Sequence, residues 1–521
     1  MSARDVDYSL YLVTDSTPAI LGDRDIAWVV EEAIKGGVGC VQLRDKTSDT
    51  AQLVAIGRRL RSVTLRYGVP LLINDRVDVA LAVGCEGVHI GQDDMELSTA
   101  RHLLGPRAII GVTVSTVGQA LRACEGGADY LGIGTVYATP TKTNTKDIIG
   151  TAGVRNILQE VAHAGQTVRT VCIGGINESN VARVLFQSAA PSKSLDGVAL
   201  VSAIMAAPDP EAAAHKLLHL VKRPPHFGRP TAESPPRPVD ALQIVASAAD
   251  IITAIHKTTP LSHNMTNLVV QNFAANLALA VGASPIMSSY GQEAADLCKL
   301  GGSLVINMGT VTPDGLANYL EALRAYNQAG RPVVFDPVGA GATAVRRAAV
   351  KTIMAGGYLD VIKGNEGEIL TVFGDEKLQQ RGVDSSSTLN AEQKAELVQK
   401  LAAREKTIVI MTGPTDFISD GQRTFSLENG HRYLGEVTGT GCVLSTAISA
   451  AVAVGSEDKL VAAIAAMLHF EIAAEVAASR SDVRGPGTFV AAFLDELYNI
   501  RQATVGGDLA WLRGAKLSRV P

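Results

Sequence analysis

Aromatic side chains are scarce in this 521-residue chain: Phe, Trp and Tyr together make up 4% of it, and only two residues are Trp. With 50 glycines and abundant alanine instead, the composition suits an α/β enzyme whose helices lie close on their sheets. A surplus of positive charge is also lacking. Lys and Arg number 47 against 52 Asp and Glu, a formal net charge of −5, and no basic stripe reverses that balance. A nucleic-acid partner is therefore not expected, because a phosphate backbone needs a concentrated cationic surface. The six cysteines (Cys40, Cys85, Cys124, Cys172, Cys298, Cys442) are scattered, with no C-x-x-C pair and no His at zinc-ligand spacing. That excludes a disulfide framework and points to a reducing compartment, the cytoplasm. The opening MSARDVDYSL lacks the basic-then-apolar pattern of a signal peptide. The Ala-rich stretch 460–478 carries His469, Glu471 and Glu475. It is expected to be a core helix, and no membrane span is expected.

What is present is a folded composition, 46% hydrophobic and 19% charged, in a chain too long for one ordinary core. Residues 222–240 read KRPPHFGRPTAESPPRPVD and hold six of the 21 prolines. Proline fixes φ and removes a backbone donor, so this segment is expected to be an extended linker. It would separate domains at 1–221 and 241–521.

Before the linker, eight short apolar runs alternate with helical patterns: 8–15, 40–46, 70–75, 87–92, 109–115, 130–136, 170–176 and 197–203. Segments between them, such as AQLVAIGRRLRSVTLRYG, have apolar residues at helical spacing and a C-capping Gly. Eight βα repeats in about 220 residues indicate a (β/α)8 TIM barrel with its chemistry at the C-terminal strand ends; an open doubly wound sheet is the alternative. After the linker, strands are expected at 303–307, 333–336, 361–363 and 408–412. Long Ala-rich helices between them favour an open α/β sheet, and the polar stretch 374–393 an exposed excursion.

The barrel strand ends carry a consistent chemistry. Alternation puts Gln42, Arg44 and Lys46 on one face, where Arg grips a phosphate bidentately and Lys acts as a point charge. Asn74-Asp75 and Asp93-Asp94 follow the next two strands, and carboxylates beside cations suit Mg²⁺ shared with substrate phosphates. Thr139-Pro140-Thr141-Lys142 adds a polar loop with another cation. Gly174-Gly175 and Val201-Ser202 end the last two strands, where such barrels commonly hold phosphate on backbone N–H groups. His89 is read as a packed or hydrogen-bonded side chain.

In the second half, Gly439-Thr440-Gly441-Cys442 precedes an apolar helix. Glycine-rich backbone at a helix N-terminus forms an anion hole, and the same field is expected to lower the Cys442 pKa, making it a candidate base for a substrate hydroxyl. No Walker A motif is present. Asp336, the segment Lys363–Glu368 and Thr412 follow candidate strands and offer carboxylates, a cation and a hydroxyl near a phosphate.

The runs VQLRDK, IND, GVHIGQDD, GVTVS, GIGTVYATPTK, IGGI and ALVSAI resemble the thiamine phosphate synthase family along nearly all of 8–220. That resemblance implies that Gln42, Arg44, Lys46 and Asn74 bind a hydroxymethylpyrimidine pyrophosphate, with Thr113 and Lys142. It implies Asp75 and Asp94 as Mg²⁺ ligands, and Thr139, Thr141, Gly175, Val201 and Ser202 as contacts of a thiazole phosphate. Thr113 stands where many members have Ser. PLSHNMTN, VGASPIM, VINMGT and DPVGAGAT, with the loops above, resemble the hydroxyethylthiazole kinase family over 244–500. This implies a ribokinase-like domain with Asn264 and Met287 at a hydroxyethylthiazole site and Cys442 near the reacting hydroxyl. It also implies Asp336, Lys363, Glu368, Thr412, Gly439 and Gly441 around ATP, with Glu366 as a further candidate. Lys363 departs from the Arg common in bacterial members, and His263 is read as structural. The kinase resemblance implies a homo-oligomer, a trimer or hexamer formed through that domain. Two alternatives are one half kept as a thiamine-sensing or assembly module, and a sugar kinase fused to another phosphate-binding barrel. The first is disfavoured by the presence of Arg44, Lys46 and Cys442, the second by Asn264 and Met287.

Overall fold

The structure, a computed structural model, describes residues 6–139, 148–223, 225, 227, 240–374 and 389–521. The chain divides into two compact units, Met1–Pro225 and His226–Pro521. Thr141, Lys142 and most of the proline-rich segment lie outside the described residues.

The first unit is a closed barrel of eight parallel strands in sequence order. These are β1 (Leu10–Val13), β2 (Cys40–Leu43), β3 (Leu71–Asn74), β4 (Gly87–Ile90), β5 (Ile109–Val114), β6 (Tyr130–Gly134), β7 (Arg169–Ile173) and β8 (Gly197–Leu200). Closure comes from β8 pairing with β1, Leu10 opposite Val198. All eight expected strands form. Each stops short of its expected C-terminal residue, because the last residues leave the ladder to build the rim. The period of two sorts the side chains: Leu10, Leu12, Val41 and Leu43 face the surrounding helices, while Tyr11, Val13, Cys40, Leu72 and Tyr130 pack inside. Helix Thr50–Tyr67 shows how local signals set the spacing. The Asp49 carboxylate accepts from Gln52 N–H at its start, and Gly68 ends it at φ +68°.

The second unit is a nine-stranded sheet between two helical layers. Its strands are β9 (Leu261–Met265), β10 (Ser284–Ile286), β11 (Ser303–Asn307), β12 (Val333–Asp336), β13 (Val361–Asn365), β14 (Ile408–Thr412), β15 (Asp416–Ser419), β16 (Thr424–Leu427) and β17 (Leu517–Val520). They run in the order β10-β9-β11-β12-β13-β14-β15-β16-β17, parallel as far as β14 and antiparallel beyond it. Alternation again divides the faces: Val305, Val334 and Val361 meet one helical layer, Leu304, Val333 and Ile362 the other. Helix Lys459–Ser479 is long and apolar enough to cross a membrane, but 89% of its apolar window is buried inside the unit. Of the expected excursion at 374–393, residues 375–388 lie outside the described residues. The remainder is a correction: Asn390 and Gln393 form a capping box that starts helix Ala391–Glu405.

Candidate active sites

The C-terminal ends of the barrel strands surround a cavity of about 430 Å³. Gln42, Arg44, Asn74, Thr113, Thr139, Gly175, Val201 and Ser202 all line it. Arg44 reaches Asp15 at 3.8 Å. Beyond the ends of β2, β3 and β4, Lys46 forms an ion pair with Asp75, whose backbone takes φ +60° and donates its N–H to the His89 carbonyl at 2.8 Å. A left-handed aspartate is uncommon, and here it turns the carboxylate onto the rim. Asp94 accepts from Gly91 N–H at 2.8 Å. Burial and the adjoining Asp75 carboxyl hold Asp94 above the ordinary carboxylate range, against the pull of Gly91 and Lys46. Two carboxyls drawn together suit a shared divalent cation, which needs only one or two protein carboxylates when phosphates complete its shell. Among the described residues no group of three or more His, Cys, Asp or Glu forms a metal cluster.

Beneath the cavity the barrel interior is polar along one line. Gln42 Nε2 donates to the Tyr11 hydroxyl at 2.7 Å, and the Tyr11 and Tyr130 hydroxyls are 2.8 Å apart. Tyr130 meets His89 Nδ1 at 2.7 Å, and His89 Nε2 meets Thr113 Oγ1 at 2.7 Å.

In the second unit the strand ends converge on Asp336, which is fully buried. Its Oδ2 accepts from Asn307 Nδ2 (3.1 Å), Ser445 Oγ (2.9 Å) and Lys363 Nζ (3.2 Å), while Oδ1 has no partner. Lys363 also donates to the Gly441 carbonyl at 2.7 Å, tying β13 to the start of helix Thr440–Val454. Glu368 accepts from Gly339 N–H and Asn365 N–H, each at 2.8 Å. Burial and the nearby Asp336 charge push Glu368 up to about 7. The orphaned Asp336 oxygen beside this second carboxyl is what a bound cation would relieve. Gly439 precedes the helix at φ +92°, and a Cβ there would lie 2.4 Å from Val270, so the turn needs glycine twice over. A separate cavity of about 630 Å³ is lined by Thr412, Gly413, Thr440 and Gly441 among others.

A model of the Thiamine monophosphate synthase family matches residues 10–204, and one of the Hydroxyethylthiazole kinase family matches 252–503. The "Probable thiamine biosynthetic bifunctional enzyme" of Schizosaccharomyces pombe is 41% identical over 522 residues, covering 99% of both chains. This chain belongs to the thiamine biosynthetic bifunctional enzymes. The "Thiamine biosynthetic bifunctional enzyme" of Saccharomyces cerevisiae is 36% identical over 95% of this chain and 96% of that one. The "Hydroxyethylthiazole kinase" of Moorella thermoacetica is 43% identical, over 50% of this chain and 94% of that one. The bifunctional enzyme therefore carries a thiamine-phosphate synthase barrel and a ribokinase-like hydroxyethylthiazole kinase unit, with ATP as the kinase co-substrate.

Not every expected residue of the bifunctional enzyme meets a cavity. Asn264 is 1% exposed: its amide donates to Ser262 O and Oγ at 3.0 Å and accepts from Thr446 Oγ1 at 2.8 Å. Its side chain thus fastens β9 to helix Thr440–Val454. Met287 packs half-buried against the same core. Glu366 pairs with Lys394 at 3.1 Å and accepts from Leu389 N–H at 3.1 Å. His263 is buried between Tyr326 and the Ser288 carbonyl, and burial lowers its pKa. Cys442 requires a correction. Its pKa is not lowered but pushed up to about 11, because burial and the Asp336 charge outweigh Lys363 and the Asn307 hydrogen bond. Sequence reasoning also passed over Tyr11, Tyr130, Asn267 and Asn307. The two Asn amides join at 3.1 Å beside Asp336, and their signal was polar residues closing apolar strands.

Proposed function

We propose that the kinase unit transfers the γ-phosphoryl group of ATP to hydroxyethylthiazole, and that the barrel joins the thiazole phosphate to hydroxymethylpyrimidine pyrophosphate. The products of the second step are thiamine phosphate and pyrophosphate. The observation that carries this reading is the rim group of Arg44, Lys46, Asp75 and Asp94 beside the 430 Å³ cavity. Departure of pyrophosphate needs cationic stabilisation, and the attacking thiazole nitrogen bears no proton, so no general base is required. Gln42, Arg44, Lys46, Asn74 and Thr113, with Lys142, would bind the pyrimidine pyrophosphate. Thr139, Thr141, Gly175, Val201 and Ser202 would hold the thiazole phosphate.

Magnesium bound by Asp75 and Asp94 would stabilise the departing pyrophosphate, and magnesium at Asp336 and Glu368 the ATP phosphates. In the kinase unit the backbone at Gly439 and Gly441, with Thr412, would cradle the nucleotide phosphates. Lys363 would neutralise Asp336 and hold the loop through the Gly441 carbonyl. Met287 would border the thiazole, with Asn264 supporting from beneath. Self-association through the kinase unit, as a trimer or hexamer, is supported by Leu268 and Val269, which are 81% and 76% exposed next to Asn267. Light scattering on the purified chain tests that.

The decisive assay supplies hydroxyethylthiazole and pyrimidine pyrophosphate with and without ATP. Thiamine phosphate should form only with ATP, whereas pre-made thiazole phosphate should bypass that need. Product from unphosphorylated thiazole without ATP, or no phosphorylation with it, would refute the scheme.

A further inference from the structure

The polar line inside the barrel joins side chains from five strands: Gln42 (β2), Tyr11 (β1), Tyr130 (β6), His89 (β4) and Thr113 (β5). Tyr11 and Tyr130 are buried completely, and burial keeps both phenols protonated. The neighbouring strands make room for it. A Cβ on Gly111 would lie 2.0 Å from the Tyr130 ring, and one on Gly132 would lie 2.8 Å from the His89 ring. These mid-strand glycines weaken their strands, yet they open the slots that the two rings fill.

Each member of the line has few protons to give, so the line runs in one of two opposite directions. The Gln42 amide N–H donates to Tyr11. Continued in the sense set by Gln42, the line has Tyr11 donating to Tyr130 and Tyr130 to His89 Nδ1. A neutral imidazole accepting at Nδ1 carries its proton on Nε2, which donates to Thr113 Oγ1. Both ends reach the cavity: Gln42 presents its carbonyl oxygen as an acceptor, and Thr113 its hydroxyl proton as a donor.

We infer that Tyr11, Tyr130 and His89 are positioning residues, which lock Gln42 as an acceptor and Thr113 as a donor and so select an amino-substituted pyrimidine carrying a diphosphate over its oxo counterpart. The inference rests on the synthase reading of the barrel. An amino group needs an acceptor and a diphosphate needs donors, which is the polarity the line imposes. An oxo group opposite Gln42 would leave two acceptors facing each other, a mismatch worth on the order of ten- to a hundredfold in specificity.

Two measurements test this on the full chain. Nitrogen-15 NMR of histidine-labelled protein, with His89→Gln to assign the signal, should show a neutral His89 ring protonated at Nε2. Protonation at Nδ1 reverses the line and overturns the inference. Tyr11→Phe and Tyr130→Phe, compared with wild type by melting temperature, should lower kcat/KM for the amino substrate by ten- to a hundredfold while leaving the oxo analogue nearly unchanged. Equal losses on both substrates would mean the tyrosines only pack. Should the wild-type chain fail to condense even the amino substrate, the synthase reading fails, and the tautomer measurement still decides the polarity of the line.

Discussion

In the barrel, Lys46 and Asp75 form their ion pair partly in solvent, with side-chain exposures of 56% and 19%, whereas in the kinase unit Lys363 and Asp336 form theirs at 4% and 0%. The same two residue types therefore have different duties. At the barrel rim the charges are open to solvent, where the proposed pyrophosphate would meet them. In the kinase unit hydrogen bonds to Asp336 from Asn307 and Ser445, and from Lys363 to the Gly441 carbonyl, offset part of the desolvation, so the pair also braces the start of helix Thr440–Val454.

Removing a carboxylate should separate the halves most sharply. Asp75→Ala or Asp94→Ala is expected to reduce condensation by about 10³-fold or more, since it takes away the proposed metal site, with the kinase rate unchanged. Rates of both reactions measured on one preparation check this. A parallel loss in both would end the comparison, because it would make the two sites interdependent.

Lysine substitutions probe the same contrast through stability. Lys363→Met leaves Asp336 buried without its cation, and should destabilise the kinase unit by about 3–5 kcal/mol. Lys46→Met breaks a half-exposed pair and should change barrel stability by less than about 1 kcal/mol. Denaturant unfolding followed separately in each unit gives the two values. Similar losses would mean that burial does not distinguish them.

The sequence made the barrel more legible than the kinase sheet for identifiable reasons. Its strands are buried on both faces and each is followed by an amphipathic helix, so apolar runs and helical spacing alternate without ambiguity. The rim residues stand just past those runs. Tyr11 and Tyr130 were not recognisable as polar participants, because a tyrosine in an apolar strand looks like core until its hydroxyl partner is known. In the kinase unit β15 and β16 went unrecognised although Asp420-Gly421 lies between them, with Gly421 at φ +89°. That hairpin signal was available. The chain-terminal β17 is short, only partly buried and without clean alternation, so pattern alone could not reveal it. The Cys442 environment was illegible because burial and the Asp336 charge, which set it, come from residues far away along the chain.

Titration offers a gentler test. Glu368 is raised to about 7 by burial and Asp336, so at pH 6 it is mostly protonated and at pH 8 mostly ionised. Protons and metal compete for an ionised carboxylate. Magnesium affinity of the kinase unit should therefore strengthen as pH rises from 6, by up to about tenfold per unit below 7, and level off above it. Calorimetric titration with magnesium, including proton release measured in buffers of different ionisation enthalpy, reads this directly. Glu368→Gln should remove the slope, and a flat profile in the wild type would place the cation elsewhere. The barrel site has Lys46 alongside its carboxylates and provides the comparison in the same experiment.

The smallest effect is expected at the residue whose motif looked most catalytic. With its pKa near 11, Cys442 is ionised in only about one molecule in 10⁴ at neutral pH. A thiol so reluctant to lose its proton is not charged in readiness to accept one from a substrate hydroxyl. Cys442→Ala should therefore lower the kinase rate by less than about tenfold, through lost packing at the helix start rather than lost chemistry. Alkylation of the wild-type thiol should remain slow at pH 7 and accelerate as pH approaches 10, reporting the same property without substrate. A loss exceeding 10³-fold on substitution, together with rapid alkylation at pH 7, would restore Cys442 as the base. It would also mean that Lys363 and the helix terminus outweigh burial and the Asp336 charge.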